Sequence, residues 1–131
     1  MFVYCHLSPN QLYPGTIRNW STDMVFREFV ERIKDSIKEV GFMNPLSCGN
    51  EKDDGTYRVN RGNNCLQAAI ELNIKSIPCI VYCGEDRKYI PEGEQVQRSE
   101  LQKFHKSEIK KITKEEPTWF GVYLVDEWAP H

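Results

Sequence analysis

The chain opens on a strict alternation. In Phe2 to Leu7 the apolar Val3, Cys5 and Leu7 fall on one side, which predicts a strand with one buried face. Ser8-Pro9-Asn10 ends it, and Pro14-Gly15 marks a turn. The period then changes. Phe26, Phe29, Val30, Ile33, Ile37 and Val40 recur at three and four residues, so a long amphipathic helix is predicted to about Val40. Ser21 or Thr22 is placed to cap it, with Asp23 in the first turn, where a negative charge suits the helix dipole. Gly41 closes the helix, with Phe42 folding back toward Ile37. Pro45 to Cys48 predicts a short strand, Glu51 to Gly55 a polar hairpin turn, and Tyr57 to Asn60 the returning strand.

Tyr57 to Cys83, YRVNRGNNCLQAAIELNIKSIPCIVYC, organises the rest. Gly62 breaks the strand where a strained backbone is easiest to adopt. Asn63 or Asn64 is placed to cap the helix that follows. Cys65, Leu66, Ala68, Ala69, Ile70 and Leu72 make that helix apolar around much of its circumference, and Asn73 ends it. Ile77 to Tyr82 is a continuous apolar run and predicts a buried central strand. Such a strand–helix–strand unit is expected to place its strands parallel with a right-handed crossover. Its glycine turn sets a helix N-terminus at the carboxyl end of a strand, where backbone N–H groups and the dipole favour an anion such as phosphate.

After Cys83 the pattern loosens. Gly84 to Gln97 is polar, with Pro91 and Gly93, and predicts a loop or a short irregular element. Ser99 to about Lys114 predicts a helix, with Ser99 and Gln102 in capping-box spacing and one lysine-rich face. Trp119 to Val125 is apolar on both faces, as in a buried strand or one covered by a partner.

Composition narrows the function. The 131 residues carry 27% charged residues and a net charge of −2, an ordinary balance for one domain and not that of a strongly basic nucleic-acid binder. No apolar run is long enough to span a membrane. The first residues lack a signal-peptide pattern, so a cytoplasmic location is expected. Five cysteines without a C-x-x-C spacing read as reduced, buried thiols, and His6, His105 and His131 have no partners at zinc spacing. Asp53 and Asp54 invite a metal reading, but Asp-Gly in a turn explains them more simply.

Three segments in order carry a resemblance. They are SPNQLYPGTIR with its arginine, SIKEVGFMNPLSC, and YRVNRGNNCLQAAIELNIKSIPCIV, set against a Y-x-x-x-x-G-E-R-R-x-x-A-A-x-x-x-G-x-x-x-I-P-x-I-V pattern. Over residues 1 to 83 the chain resembles the ParB/sulfiredoxin-like group, specifically its ParB-like N-terminal domain. The G-N-N turn is similar to that of phage-encoded members, which makes a viral origin an expectation. The implied fold is mixed α/β: a ParB/sulfiredoxin-like domain at 1–83 with a small mixed sheet, and a short helix–strand extension at 84–131 packed on the same domain.

The resemblance also implies chemistry. Partition members bind CTP with the glycine turn and its arginines on the triphosphate. Other members are nucleases or phosphorylate small molecules, and sulfiredoxins use a cysteine in this turn with ATP. By position, Gly62 matches the family glycine, Arg18 the arginine of the first segment, and Asn63, Asn64 and Cys65 the E-R-R positions. Both turn arginines are therefore replaced, by Asn64 and Cys65. Arg58 and Arg61 lie close by in sequence and could compensate; the plain alternative is that both are exposed residues of an edge strand.

Three functions follow as expectations. The first is a nucleotide- or phosphate-binding module with Arg18, Arg58, Arg61, Gly62, Asn63, Asn64 and Cys65 around the anion. Its ligand would be CTP or ATP with magnesium, and it would act near DNA with weak nucleotide or phosphodiester hydrolysis. The second is a non-catalytic interaction protein, self-associating or binding a partner through Trp119 to Val125. The third is a thiol enzyme using Cys65, which has no histidine within the motif to act as its base; packing is the simpler role for it.

Overall fold

A computed structural model describes residues 1–16, 24–42 and 44–104, without the side chain of Gln102. Arg18, the helix caps at Ser21 and Thr22, Asp23, the 105–114 part of the last helix and Trp119 to Val125 lie outside the described residues.

The strands are β1 (Phe2–Leu7), β2 (Leu12–Pro14), β3 (Leu46–Gly49), β4 (Tyr57–Arg61), β5 (Ile77–Tyr82) and β6 (Glu94–Val96), and the helices are α1 (Met24–Val40) and α2 (Asn63–Glu71). They form one six-stranded sheet in the order β2-β4-β3-β5-β1-β6. The mixed α/β architecture agrees with the expectation from sequence.

The topology corrects one expectation. β3 pairs antiparallel with β4 and parallel with β5, so β4 and β5 run in opposite directions with β3 between them. The reason is the short Glu51–Gly55 connection, which lets β3 and β4 pair as a hairpin before α2 begins. β4 is not an edge strand either, because β2 lies parallel to it through Leu12↔Tyr57, Tyr13↔Arg58 and Pro14↔Val59.

Alternation decides what each strand buries. Val3, Cys5 and Leu7 of β1, Tyr57 and Val59 of β4, and Ile77, Cys79 and Val81 of β5 join Val30 and Ile33 of α1 and Leu66, Ala68 and Ala69 of α2 in one core. Ile33 is 1% exposed, so truncation to alanine would cost about 2–5 kcal/mol. The predicted helix faces are each too generous by one residue: Val40 and Ile70 are exposed. Both sit in the last turn of their helices. Gly41 has φ +77° and Asn73 φ +56°, the left-handed backbone expected of helix stops.

The 84–97 segment is not all irregular, for β6 within it pairs with Phe2 to Tyr4 of β1. The following turns, Arg98–Phe104, are 3-10 helix, and Phe104 stacks on Tyr4 with ring centroids 4.8 Å apart. Cys83 and Met1 exchange backbone bonds, with the Cys83 N–H donating to the Met1 carbonyl at 2.8 Å. No helix among the described residues is long and apolar enough to cross a membrane.

Candidate functional site

β4 runs directly into α2 through Gly62. That glycine has φ +105° and ψ +21°, a left-handed conformation that L side chains adopt only with strain, and it is the N-cap of α2. This corrects the expected cap: Asn63 and Asn64 are already helical, at the first two positions. Both are only 2% exposed, so they pack into the fold where capping residues would face outward. With glycine as the cap, no cap side chain covers this helix end. The Leu66 N–H donates to the Gly62 carbonyl at 2.8 Å and closes the first turn.

The parallel pairing of β2 with β4 brings a second segment to the same place. Both strands end on one side of the sheet, and Gly15 follows β2 there. Its N–H donates to the Val59 carbonyl at 3.0 Å and to Asn63 Oδ1 at 2.9 Å. Gly15 is three residues before Arg18 in the chain. Sequence reasoning read Gly15 only as a turn; its proximity to the first-segment arginine was the available signal.

The predicted residues divide. Arg61 is the last residue of β4, half-buried beside Gly62. Arg58 sits on the same strand, but its guanidinium donates to the Gly15 carbonyl at 3.0 Å and pairs with Glu51 at 3.2 Å. Asn64 and Cys65 stand with Gly62 and Asn63 at the helix start. Cys65 is 4% exposed and belongs to the core cluster, which favours packing over nucleophilic work. All five cysteines are reduced and buried. The Cys5 thiol is pushed up to about 12, mainly by burial and then by Cys79 and Cys83.

Two other polar groups prove structural. The Asp53 carboxylate accepts the backbone N–H groups of Lys88 and Tyr89, each at 2.8 Å, and these bonds hold its carboxyl below the usual range. Glu71 closes α2 with an ion pair to Arg27 of α1 at 2.9 Å, which lowers its carboxyl to about 2. An open depression on α1, lined by Met24, Val25, Arg27, Glu28 and Glu31, lies by this pair at the opposite end of α2 from Gly62.

No protein-family model matches the sequence, and no curated protein matches it. Solved structures do. Sulfiredoxin from Arabidopsis thaliana superposes with a TM-score of 0.50 at 26% identity, over 64% of this chain and 86% of that one. The chain has the ParB/sulfiredoxin-like fold. A conserved hypothetical protein from Pyrococcus furiosus matches with a TM-score of 0.53 at 15% identity, over 64% of this chain and 34% of that one. A free serine kinase variant in complex with ADP matches with a TM-score of 0.51 at 15% identity, over 61% of this chain. The shared fold spans 31% of the kinase, about a third of its length.

Proposed function

We infer that this protein is a nucleotide-binding module whose phosphate site is the β4–α2 turn. The observation that carries the reading is Gly62: a left-handed glycine cap at the carboxyl end of a strand, opening a helix, with Arg61 directly before it. Backbone N–H groups and the helix dipole at such a place favour an anion, and an arginine adds a fixed, bidentate charge. The serine kinase that shares the fold was solved with ADP, in keeping with this reading.

The ligand is a nucleoside triphosphate, CTP or ATP, with Arg18 and Arg61 contributing charge and Gly62, Asn63, Asn64 and Cys65 forming the turn. Among the described residues no three His, Cys, Asp or Glu side chains group as a metal cage. A magnesium ion entering with the nucleotide would take its ligands chiefly from phosphate oxygens and water. Action near DNA and slow hydrolysis of nucleotide or phosphodiester extend the reading from the resemblance.

A second reading is favoured by one observation. Asn64 and Cys65 stand where the family pattern has arginines, and both are buried, at 2% and 4% exposure. A fold that kept its turn but replaced its charges would serve as an interaction module, with Trp119 to Val125 as its contact.

A thermal-shift panel of CTP, ATP, GTP and ADP, with and without magnesium, separates the two. Binding to the native state raises the melting temperature by mass action, by about 2.7 kcal/mol of stability at a hundredfold excess over Kd. A selective rise that disappears in Arg61→Ala or Arg18→Ala upholds nucleotide binding. No rise at millimolar ligand, together with a large gain of affinity in Asn64→Arg, upholds the interaction module.

A further inference from the structure

A primary amide at the first position of a helix is usually at the surface, yet Asn63 is 2% exposed. Leaving such a group unpaired in the interior costs about 1–3 kcal/mol, so its partner is informative. Its Oδ1 accepts the Gly15 N–H at 2.9 Å, joining residues 48 apart in sequence. The same N–H is shared with the Val59 carbonyl at 3.0 Å. On the other side the Gly15 carbonyl accepts from Arg58 Nη2 at 3.0 Å, and Arg58 is steadied by Glu51. There is no room for any side chain in this grip: a Cβ on Gly15 would lie 2.4 Å from the Val59 carbonyl oxygen and 3.0 Å from Arg58 Nε.

We propose that Asn63 is a positioning residue for the phosphate turn and not itself an anion ligand. Its amide locks Gly15 to the first turn of α2, so that the Gly15 corner and the Gly62 turn keep a fixed geometry around the bound phosphate. This rests on the nucleotide-binding reading of the turn. Arg58 completes the grip from the carbonyl side, so two residues expected as direct ligands act through Gly15. Arg61 and the backbone N–H groups that start at Gly62 are then among the groups that meet the anion directly.

The test uses the full chain with ATP–magnesium and CTP–magnesium as probes. It measures nucleotide Kd, hydrogen exchange at the Gly15 amide without ligand, and the melting temperature. Asn63→Ala removes the side-chain acceptor and leaves only the Val59 carbonyl: Gly15 exchange should accelerate and nucleotide affinity fall, each by up to about tenfold, the scale of one hydrogen bond. Asn63→Asp keeps an acceptor at the same atom but adds a negative charge at the turn. Gly15 should stay protected there while affinity still falls. A purely structural asparagine would not separate the two readouts in this way.

Wild-type affinity in Asn63→Ala overturns the proposal. So does lost affinity with Gly15 still protected, since Asn63 would then touch the ligand directly. If the alanine variant does not fold, Asn63→Asp decides alone, and rapid Gly15 exchange in it overturns the anchor. A wild-type chain that binds neither nucleotide overturns the function and the positioning role together, while its Gly15 exchange still reports whether the anchor exists.

Discussion

β4 has a turn at each end, and both contain left-handed backbone. Before it, Asp53 has φ +53° and Gly55 φ +90°; after it, Gly62 has φ +105°. The first turn is filled from within. The Asp53 carboxylate takes the Lys88 and Tyr89 N–H groups at 2.8 Å, Asn50 Oδ1 takes the Asp53 N–H at 3.1 Å, and Asn50 Nδ2 and the Tyr57 hydroxyl both donate to the Tyr89 carbonyl. The chain supplies its own anion there, and the result is a clip holding residues 88 and 89. At the second turn the cap has no side chain, and the neighbouring amide of Asn63 turns sideways to Gly15. One strand thus carries a turn closed by its own carboxylate at one end and, at the other, the glycine-capped turn proposed above as the phosphate site.

Substitutions can break that contrast. The largest effect is expected from Gly15→Ala, whose Cβ would meet backbone at 2.4 Å. Overpacking of that kind costs about 1–3 kcal/mol, and chemical denaturation should show it together with loss of nucleotide binding. Gly62→Ala forces a side chain into left-handed backbone, at about 1–2 kcal/mol, and should also abolish the ligand-induced rise in melting temperature. Gly41→Ala is its control: φ is +77° but nothing lies within 4 Å of the new Cβ. Stability should fall there by a similar strain with nucleotide affinity unchanged, and equal loss of affinity in both variants would deny the second turn any special role.

Asp53→Asn should lower the melting temperature less than either turn glycine, and only at certain pH. The Asp53 carboxyl is held below its ordinary value, first by the Tyr89 N–H. Its stabilisation is therefore complete above the usual aspartate pKa of about 4 and lost as pH falls through the lowered folded value. The wild-type and variant curves should converge in acid; a constant gap from pH 7 to 3 would contradict the clip. The smallest effect is expected from Glu71→Gln. The Arg27 pair sets the Glu71 carboxyl at about 2, so its contribution is present above about pH 4.3 and disappears toward pH 2. The pair is partly exposed, so roughly 0.5 kcal/mol at pH 7 is expected in urea titrations.

Much of this fold was legible in the residues. β1 falls where the alternation of Phe2 to Leu7 puts it, and α1 ends where Gly41 takes positive φ. These features are local, and each residue's own chemistry decides them. β2 and β6 were not legible, because three residues cannot show a period and exist as strands only through β4 and β1. The opposed directions of β4 and β5 depend on β3 entering between them, which no pattern within the 57–83 stretch records. At the site, the glycine was readable from its position before an apolar helix. The bond from Gly15 to Asn63 was not, since it joins two segments 48 residues apart.

The five buried thiols have a practical consequence. Cys5, Cys48, Cys65, Cys79 and Cys83 are distributed over β1, β3, α2, β5 and the residue after it, every one screened from solvent. An alkylating reagent can reach each only when the element around it opens, so the order in which adducts accumulate charts the molecule's breathing element by element. The chain carries its own set of stopwatches, and a bound nucleotide should slow the one at Cys65 before the one at Cys5.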